Sequence, residues 1–291
     1  GRSHDISFFD PEEGVPFGGI AAPSELFSPP LHLSASAAGP LLITITGDGS
    51  LRALRHATGP VLLELATAPL NLRPEELVVD IGCGYGAGAR WIAEHTGVHL
   101  TGLTLSPHQV EVAHSRPAPH RGTAEVRLGD WLANDYADHS FEAAVAIESL
   151  AHMRDKPAFF GELARTLAPG GRAAIACWTA APDLACLETL LLRRLCRDGQ
   201  LPSLGTLDEY RRLAHDVGLR VTGHRDLTAA VEPTWWIIGR RALASLFRSP
   251  HFLLASLASA LRRPTFALTI PAMILAYRTR ALRYGILWLE N

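Results

Sequence analysis

Asp80-Ile81-Gly82-Cys83-Gly84-Tyr85-Gly86 sets one acid ahead of three alternating glycines, a spacing with a chemical use. Glycine lets the chain turn tightly and lets a ligand approach the backbone, because no Cβ intervenes. Val78-Val79 before the acid and Ile81 after it read as a buried strand, and Ala89-Arg90-Trp91-Ile92-Ala93-Glu94 opens a helix. A helix N-terminus offers unpaired N–H groups, so strand, glycine turn and helix together form a nucleotide-binding device. Gly82-x-Gly84-x-x-Ala87 also satisfies the loose dinucleotide fingerprint. A nicotinamide site, however, wants an acid about 20 residues on, at the end of the second strand, for the ribose. That strand spans Val98 to Ser106 and carries Thr104 near the position in question. The acid lies inside the first strand instead, and a dinucleotide oxidoreductase is the weaker reading.

Asp80-x-Gly82-x-Gly84-x-Gly86 resembles motif I of class I S-adenosylmethionine-dependent methyltransferases. In that family the glycine loop faces the amino acid end of the cofactor. Thr104-Leu105-Ser106-Pro107-His108-Gln109 resembles the T-L-S-x-x-Q segment of a subgroup that includes tocopherol and cyclopropane-fatty-acid methyltransferases, where hydroxyls and a glutamine replace the ribose-binding acid. Gly129-Asp130-Trp131 is similar to the adenine-side motif, whose Asp accepts from the exocyclic amine while its neighbour packs on the ring. Phe141 to Met153 looks like strand four and its loop, and Leu163 to Arg172 like the helix and turn before strand five. The resemblance implies S-adenosyl-L-methionine as cofactor. It implies Asp80, Gly82, Cys83, Gly84, Thr104, Leu105, Ser106, Gln109, Asp130, Trp131 and Glu148 as its contacts.

Glu148-Ser149-Leu150-x-His152-Met153-x-Asp155-Lys156 resembles the same loop in sugar O-methyltransferases and in tocopherol and sterol C-methyltransferases. In the sugar enzymes a histidine here is the proposed base; where two adjacent histidines occur, the first corresponds to Ala151. In prenyl-diphosphate methyltransferases the glutamate of the Glu-Ser pair is thought to stabilise a carbocation or accept its proton. The resemblance thus marks His152 and Glu148 as catalytic candidates. Against this stand blander roles: a backbone-bonded loop histidine and a glutamate that contacts only cofactor. Methyl transfer is a direct displacement, so alignment does most of the work, and a base matters only where the acceptor must lose a proton. An alkene acceptor needs an apolar pocket and one carboxylate near the developing cation, and a diphosphate would add paired arginines. Trp178, Trp235 and Trp236, with Arg240 and Arg241, supply such a lining. The expected activity is methylation of a hydrophobic small molecule of terpenoid, prenyl or polyketide type, on carbon or oxygen. The alternative is a methyltransferase-fold enzyme that templates a cyclisation without methyl transfer.

Composition is compatible with this. The chain has 291 residues, 47% hydrophobic, with a net charge of −2, so it can bury a full core and carries no global field for nucleic acid. No uncharged apolar run reaches the roughly 18 residues of a spanning helix. No basic segment followed by an apolar run opens the chain, so no signal peptide is expected. Cys83, Cys177, Cys186 and Cys196 lack metal-ligand spacing and read as reduced core residues of a cytoplasmic protein.

Strands and helices alternate from Val78 to about Trp178, which implies parallel βαβ units. The expected fold is α/β, a Rossmann-like class I methyltransferase: a seven-stranded, mostly parallel sheet with helices on both faces and a helical cap. Residues 1–50 read as an irregular leader or lid, with apolar clusters at Ile6–Phe9 and Leu41–Ile43. Residues 51–232 read as the cofactor-binding core, opened by a helix from Ser50 to about Thr67 and including a capping box at Thr206/Glu209. Residues 233–282 read as an arginine-rich apolar cap in helical pieces broken at Pro250, Pro264 and Pro271, and residues 283–291 as a terminal core strand. No Asp or Glu occurs from Pro233 to Leu289. A membrane surface and a dimer interface are the competing uses of that region.

Overall fold

The computed structural model describes residues 4–9, 16–22, 59–248 and 268–291. Strands β1 (His4–Phe9) and β2 (Pro16–Ala22) pair antiparallel, so the Ile6–Phe9 cluster belongs to a strand rather than to an irregular leader. Leu41–Ile43 and the expected start at Ser50 lie outside the described residues, and helix α1 is described over Gly59–Thr67.

The central sheet runs in the order β5-β4-β3-β6-β7-β9-β8. Its strands are β3 (Leu77–Ile81), β4 (His99–Thr104), β5 (Thr123–Leu128), β6 (Phe141–Ile147), β7 (Leu167–Ala180), β8 (Arg220–Asp226) and β9 (Leu282–Glu290). Neighbours from β5 to β7 are parallel, whereas β9 enters antiparallel between β7 and β8. The parallel strands are joined by α2 (Ala87–Thr96), α3 (Pro107–His114) and α4 (Lys156–Thr166), and strand order reverses beside β3. That reversal is where open sheets of this kind form their binding crevice.

Both faces are covered. On one, Val78, Val145 and Ile286 pack with Leu62 of α1 and Ile92 of α2. The same cluster includes Leu192 of α5 (Cys186–Asp198), Val231 of α7 (Thr228–Arg248) and Tyr277 of α8 (Thr269–Arg278). On the other face, Val79, Ile175 and Leu287 pack with Phe159, Phe160 and Tyr210, the last from α6 (Leu207–Asp216). The Thr206/Glu209 capping box is formed, satisfying two donors at the start of α6.

Three sequence expectations need correction. The C-terminal helix does not begin at Pro233: α7 starts at Thr228 and runs through that proline, which forfeits one backbone bond near the helix start. Pro271 does not break a helix either, since it sits in the first turn of α8, where its missing N–H has no intrahelical partner to lose; Pro250 and Pro264 lie outside the described residues. Cys83 and Cys177 are buried, but Cys186 opens α5 on the surface and Cys196 is half-buried, so only two of the thiols are core residues.

The turn after β3 needs glycine for two reasons. Gly82 has φ +76°, and a Cβ built there would stand 2.5 Å from the Cβ of Ser149, at the end of β6. Gly86 has φ +69°, and its Cβ would meet Val126 Cγ2 of β5 at 2.6 Å. We expect Gly82→Ala to destabilise the fold by about 2–4 kcal/mol, combining left-handed strain with overpacking. Denaturant unfolding measures this, and a midpoint equal to wild type would refute the packing account.

Candidate active site

The sheet gathers the expected cofactor residues at the carboxyl ends of β3, β4 and β5. Asp80 is buried as the fourth residue of β3, and its Oδ2 would lie 3.8 Å from a Cβ at Gly88. Cys83 N–H donates to Leu103 O at 2.8 Å, which pins the glycine loop to the end of β4. The Cys83 side chain is buried over Gly102, where an added Cβ would meet Sγ at 2.6 Å. Gly84 (φ +56°) and Gly86 continue the left-handed run that carries the chain into α2.

The segment after β4 is internally braced. Buried Thr104 donates Oγ1–H to Gln109 Oε1 at 2.5 Å, and Ser106 caps α3 by accepting from Gln109 N–H at 3.4 Å. Leu105 between them is 59% exposed, an apolar side chain offered to whatever enters the groove. Tyr85 of the glycine loop and His108 of α3 meet edge to face across this groove, centroids 6.3 Å apart; neither stood among the expected contacts.

Asp130 is exposed beyond β5 and caps a short turn by accepting from Leu132 N–H at 2.9 Å. Its neighbour does not fit the expectation. Trp131 is 2% exposed, donates Nε1–H to Phe159 O and packs on Phe159 at 6.2 Å between centroids. The indole belongs to the core, so packing on a ligand ring is not available to that side chain.

Glu148 follows β6 with φ +59°, a conformation that non-glycine residues adopt rarely. Its N–H donates to Ala176 O of β7 at 2.7 Å, and the turn aims its carboxylate at β9. There Tyr284 donates its hydroxyl to Glu148 Oε1 at 3.2 Å. Burial pushes the Tyr284 phenol well above its usual range and the neighbouring carboxylate adds to this, so it stays a donor. A second buried phenol, Tyr277 of α8, is raised by the same cause and accepts from Trp178 Nε1–H at 3.0 Å. Trp235 of α7 also turns its indole toward the Tyr277 oxygen, without hydrogen-bond geometry. Glu148 thus meets the buried hydroxyl of Tyr284 and lies near that of Tyr277, around which Trp178 and Trp235 gather.

His152 is exposed at the end of the turn Leu150–His152, its N–H bonded to Ser149 O at 3.0 Å. The remaining expected acceptor contacts separate from this group. Trp236 is 43% exposed on α7 and lies under the Arg278 guanidinium, 4.9 Å from the ring centroid. Arg240 is exposed one turn further on, and the side chain of Arg241 is outside the described residues. Adjacent tryptophans on a helix point in directions about 100° apart, so Trp235 and Trp236 could not both face one pocket.

Sequence reasoning missed Tyr277 and Tyr284. Tyr284 was legible only as one aromatic in a terminal strand; what gives it a role is the antiparallel entry of β9 beside β7, which pairs it with Trp178. Tyr277 carried a weaker signal, an aromatic in an acid-free helix.

Residues 78–171 match the family described as a methyltransferase domain. Tocopherol O-methyltransferase of Arabidopsis thaliana is 32% identical over 72% of this chain and 61% of its own length. An O-methyltransferase of Pyrenophora dematioidea is 31% identical over 62% of this chain and 71% of its own length. Geranyl diphosphate C-methyltransferase from Streptomyces coelicolor, solved with Mg2+, geranyl diphosphate and S-adenosyl-L-homocysteine, shares the fold with a TM-score of 0.65 at 20% identity, over 82% of this chain and 80% of that one. The chain spans about six tenths of the length of the tocopherol O-methyltransferases it matches. With its parallel sheet, glycine turn and Thr104–Gln109 segment, this chain belongs to the family of class I S-adenosylmethionine-dependent methyltransferases.

Proposed function

We propose that this chain methylates a hydrophobic small molecule, a terpenoid, prenyl or polyketide-type compound, on carbon or oxygen. The observation that carries the reading is Glu148, whose carboxylate is bonded to Tyr284 and backed by Tyr277, Trp178 and Trp235, directly beyond the glycine loop. Tyr284 and Tyr277 are buried behind the carboxylate, so an acceptor beside Glu148 would meet one negative charge held against an apolar core.

The cofactor residues fit a nucleoside with a charged amino acid tail. Missing Cβ atoms at Gly82 and Gly84 leave the main chain open, Asp80 supplies a buried carboxyl group beneath the loop, and Thr104, Ser106 and Gln109 supply polar groups in place of a ribose-binding acid. When bound, S-adenosylmethionine would supply a methyl group activated on a sulfonium sulfur. The chain then has to align the acceptor with that methyl and hold any proton it sheds. For a hydroxyl acceptor, His152 takes the proton as general base. For an alkene acceptor, Glu148 stabilises the positive charge on carbon and receives the proton that restores the double bond. Helices α7 and α8 roof the acceptor, and the free cysteines suit a reducing cytoplasm. Among the described residues no helix is long and apolar enough to cross a membrane.

Incubating the protein with methyl-labelled cofactor and a panel of hydrophobic alcohols, phenols and prenyl alkenes tests the reading. Label in product, with stoichiometric S-adenosylhomocysteine, is the expected result; a rearranged, unlabelled product would support cyclisation instead. His152→Ala should lower kcat by about 10²–10⁴ for a hydroxyl acceptor, and Glu148→Gln should do so for an alkene, the typical range for removing a proton-transfer group. Equal losses on both acceptor classes would contradict the division of labour. Tyr284→Phe should reduce kcat by about tenfold and cost about 1–3 kcal/mol of stability, because the half-buried Glu148 carboxylate loses the hydrogen bond from the Tyr284 hydroxyl. Cofactor affinity, read by calorimetry, should not change.

A further inference from the structure

Lys156 is the chain's one lysine, and its position is expensive for a cation. It is 7% exposed, and it is the first residue of α4, where the helix dipole opposes positive charge. Among the described residues no carboxylate pairs with it: Nζ donates to Met153 O at 3.1 Å and to Ser203 Oγ at 3.0 Å. Neighbouring Asp155 is spent as the α4 cap, accepting from Ala158 N–H at 2.8 Å. An arginine-rich chain that keeps a lysine buried at a helix start, without a carboxylate partner among the described residues, accepts a cost that solvent exposure would remove.

The two acceptors explain the placement. Met153 is the C-cap of the Leu150–His152 turn, so its carbonyl belongs to the loop that runs from Glu148 to Asp155. Ser203 lies in the separate connection from α5 to α6. We propose that Lys156 is a positioning residue for methyl transfer, tying the Glu148–Met153 loop to the α5–α6 connection so that His152 and Glu148 stand in register with the acceptor. This rests on the methyl-transfer reading above. Bonds from an ammonium are roughly twice as strong as neutral ones, so the tie depends on the charge.

Burial lowers the Lys156 pKa. Its titratable neighbours are Cys177 of β7, pushed up to about 12 by burial, Cys196 of α5, also raised, and Tyr210 of α6, raised in the same way. Glu209, Asp216, Arg154 and Arg212 line the cleft beside it. Between the lowered pKa and the ordinary value of 10.5, the unfolded chain holds a proton that the native chain has released, so stability rises with pH. Activity should fall over that window, as the tie weakens. Opposite slopes for stability and activity are a signature that a purely structural contact would not give.

The single lysine makes the test direct. Protein labelled with [ε-13C]lysine gives one side-chain signal, whose titration reports the Lys156 pKa. The alkaline limb of kcat should follow that pKa and vanish in Lys156→Arg, which keeps its charge. Lys156→Met should lower kcat by about 10- to 100-fold, the cost of a misplaced catalytic loop, while S-adenosylhomocysteine affinity stays at the wild-type value. An unchanged kcat and pH profile in Lys156→Met would overturn the proposal. If that variant does not fold, Ser203→Ala removes the far anchor alone; a smaller loss of kcat supports the tie and none refutes it. Should the wild-type chain transfer no methyl, the methyl-transfer reading fails first. Amide exchange over 149–153 then decides the tie, faster in the variants if it exists and unaltered if it does not.

Discussion

The site depends on how closely two strand-end loops approach each other. Gly82 after β3 and Ser149 after β6 are so near that a single added carbon would fall 2.5 Å from the serine Cβ. Adjacent parallel strands set the loops side by side; the absent side chain lets them touch. Through that contact the loop assigned to the cofactor and the loop assigned to the acceptor share one wall. The left-handed turns at Gly82 and Glu148 lie on either side of it. Glycine adopts such a turn freely, whereas glutamate must be held there by its surroundings. The bond from Glu148 N–H to Ala176 O and that from Tyr284 to its carboxylate are two such restraints.

The second restraint comes from the far end of the chain. β9 is the one antiparallel strand of the main sheet, inserted between β7 and β8, and it sets Tyr284 opposite Trp178. A parallel strand reaching the same slot would need a crossover across the sheet; antiparallel entry lets α8 lead in through a short turn at Arg280 with φ +61°. Tyr277 at the end of α8 and Tyr284 in β9 therefore arrive together on the side of the sheet where Glu148 emerges. Their phenols stay protonated because burial opposes the anion, so both remain neutral hydrogen-bonding groups in an otherwise apolar wall. One carboxylate and two neutral phenols are thereby set among aromatic and aliphatic side chains.

Much of this was legible in the sequence because the determining signals were local. Asp80 and the glycines fix a strand and a turn within a few residues, Thr206 and Glu209 satisfy one another across one helical turn, and strand–helix alternation dictates parallel pairing. What escaped notice was set by contacts between distant segments. Trp131 beside an acid looks like a ligand platform until Phe159, 28 residues away, takes its N–H. Trp235 and Trp236 look alike in sequence, and only the packing of α7 on α8 decides that the first turns inward and the second lies under Arg278. Pro271 reads as a break, but it lies in the first turn of α8, where a missing N–H costs little. Tyr284 could be identified only once the partner of β9 was known.

The two loop candidates differ in how they are held, and that difference bears on which chemistry each suits. Glu148 is fixed at its backbone and at its carboxylate, half-buried among aromatic rings. A group so restrained is preorganised to stabilise a charge that develops at one place, and it does not need to move during the reaction. His152 is exposed on a short turn whose backbone is held by Ser149 O on one side and by the Met153 carbonyl that Lys156 grips on the other. Exposure keeps the imidazole within reach of solvent, which suits a base that must be regenerated in every turnover. In the proposed reading, carbocation chemistry therefore suits half-buried Glu148 and hydroxyl chemistry exposed His152.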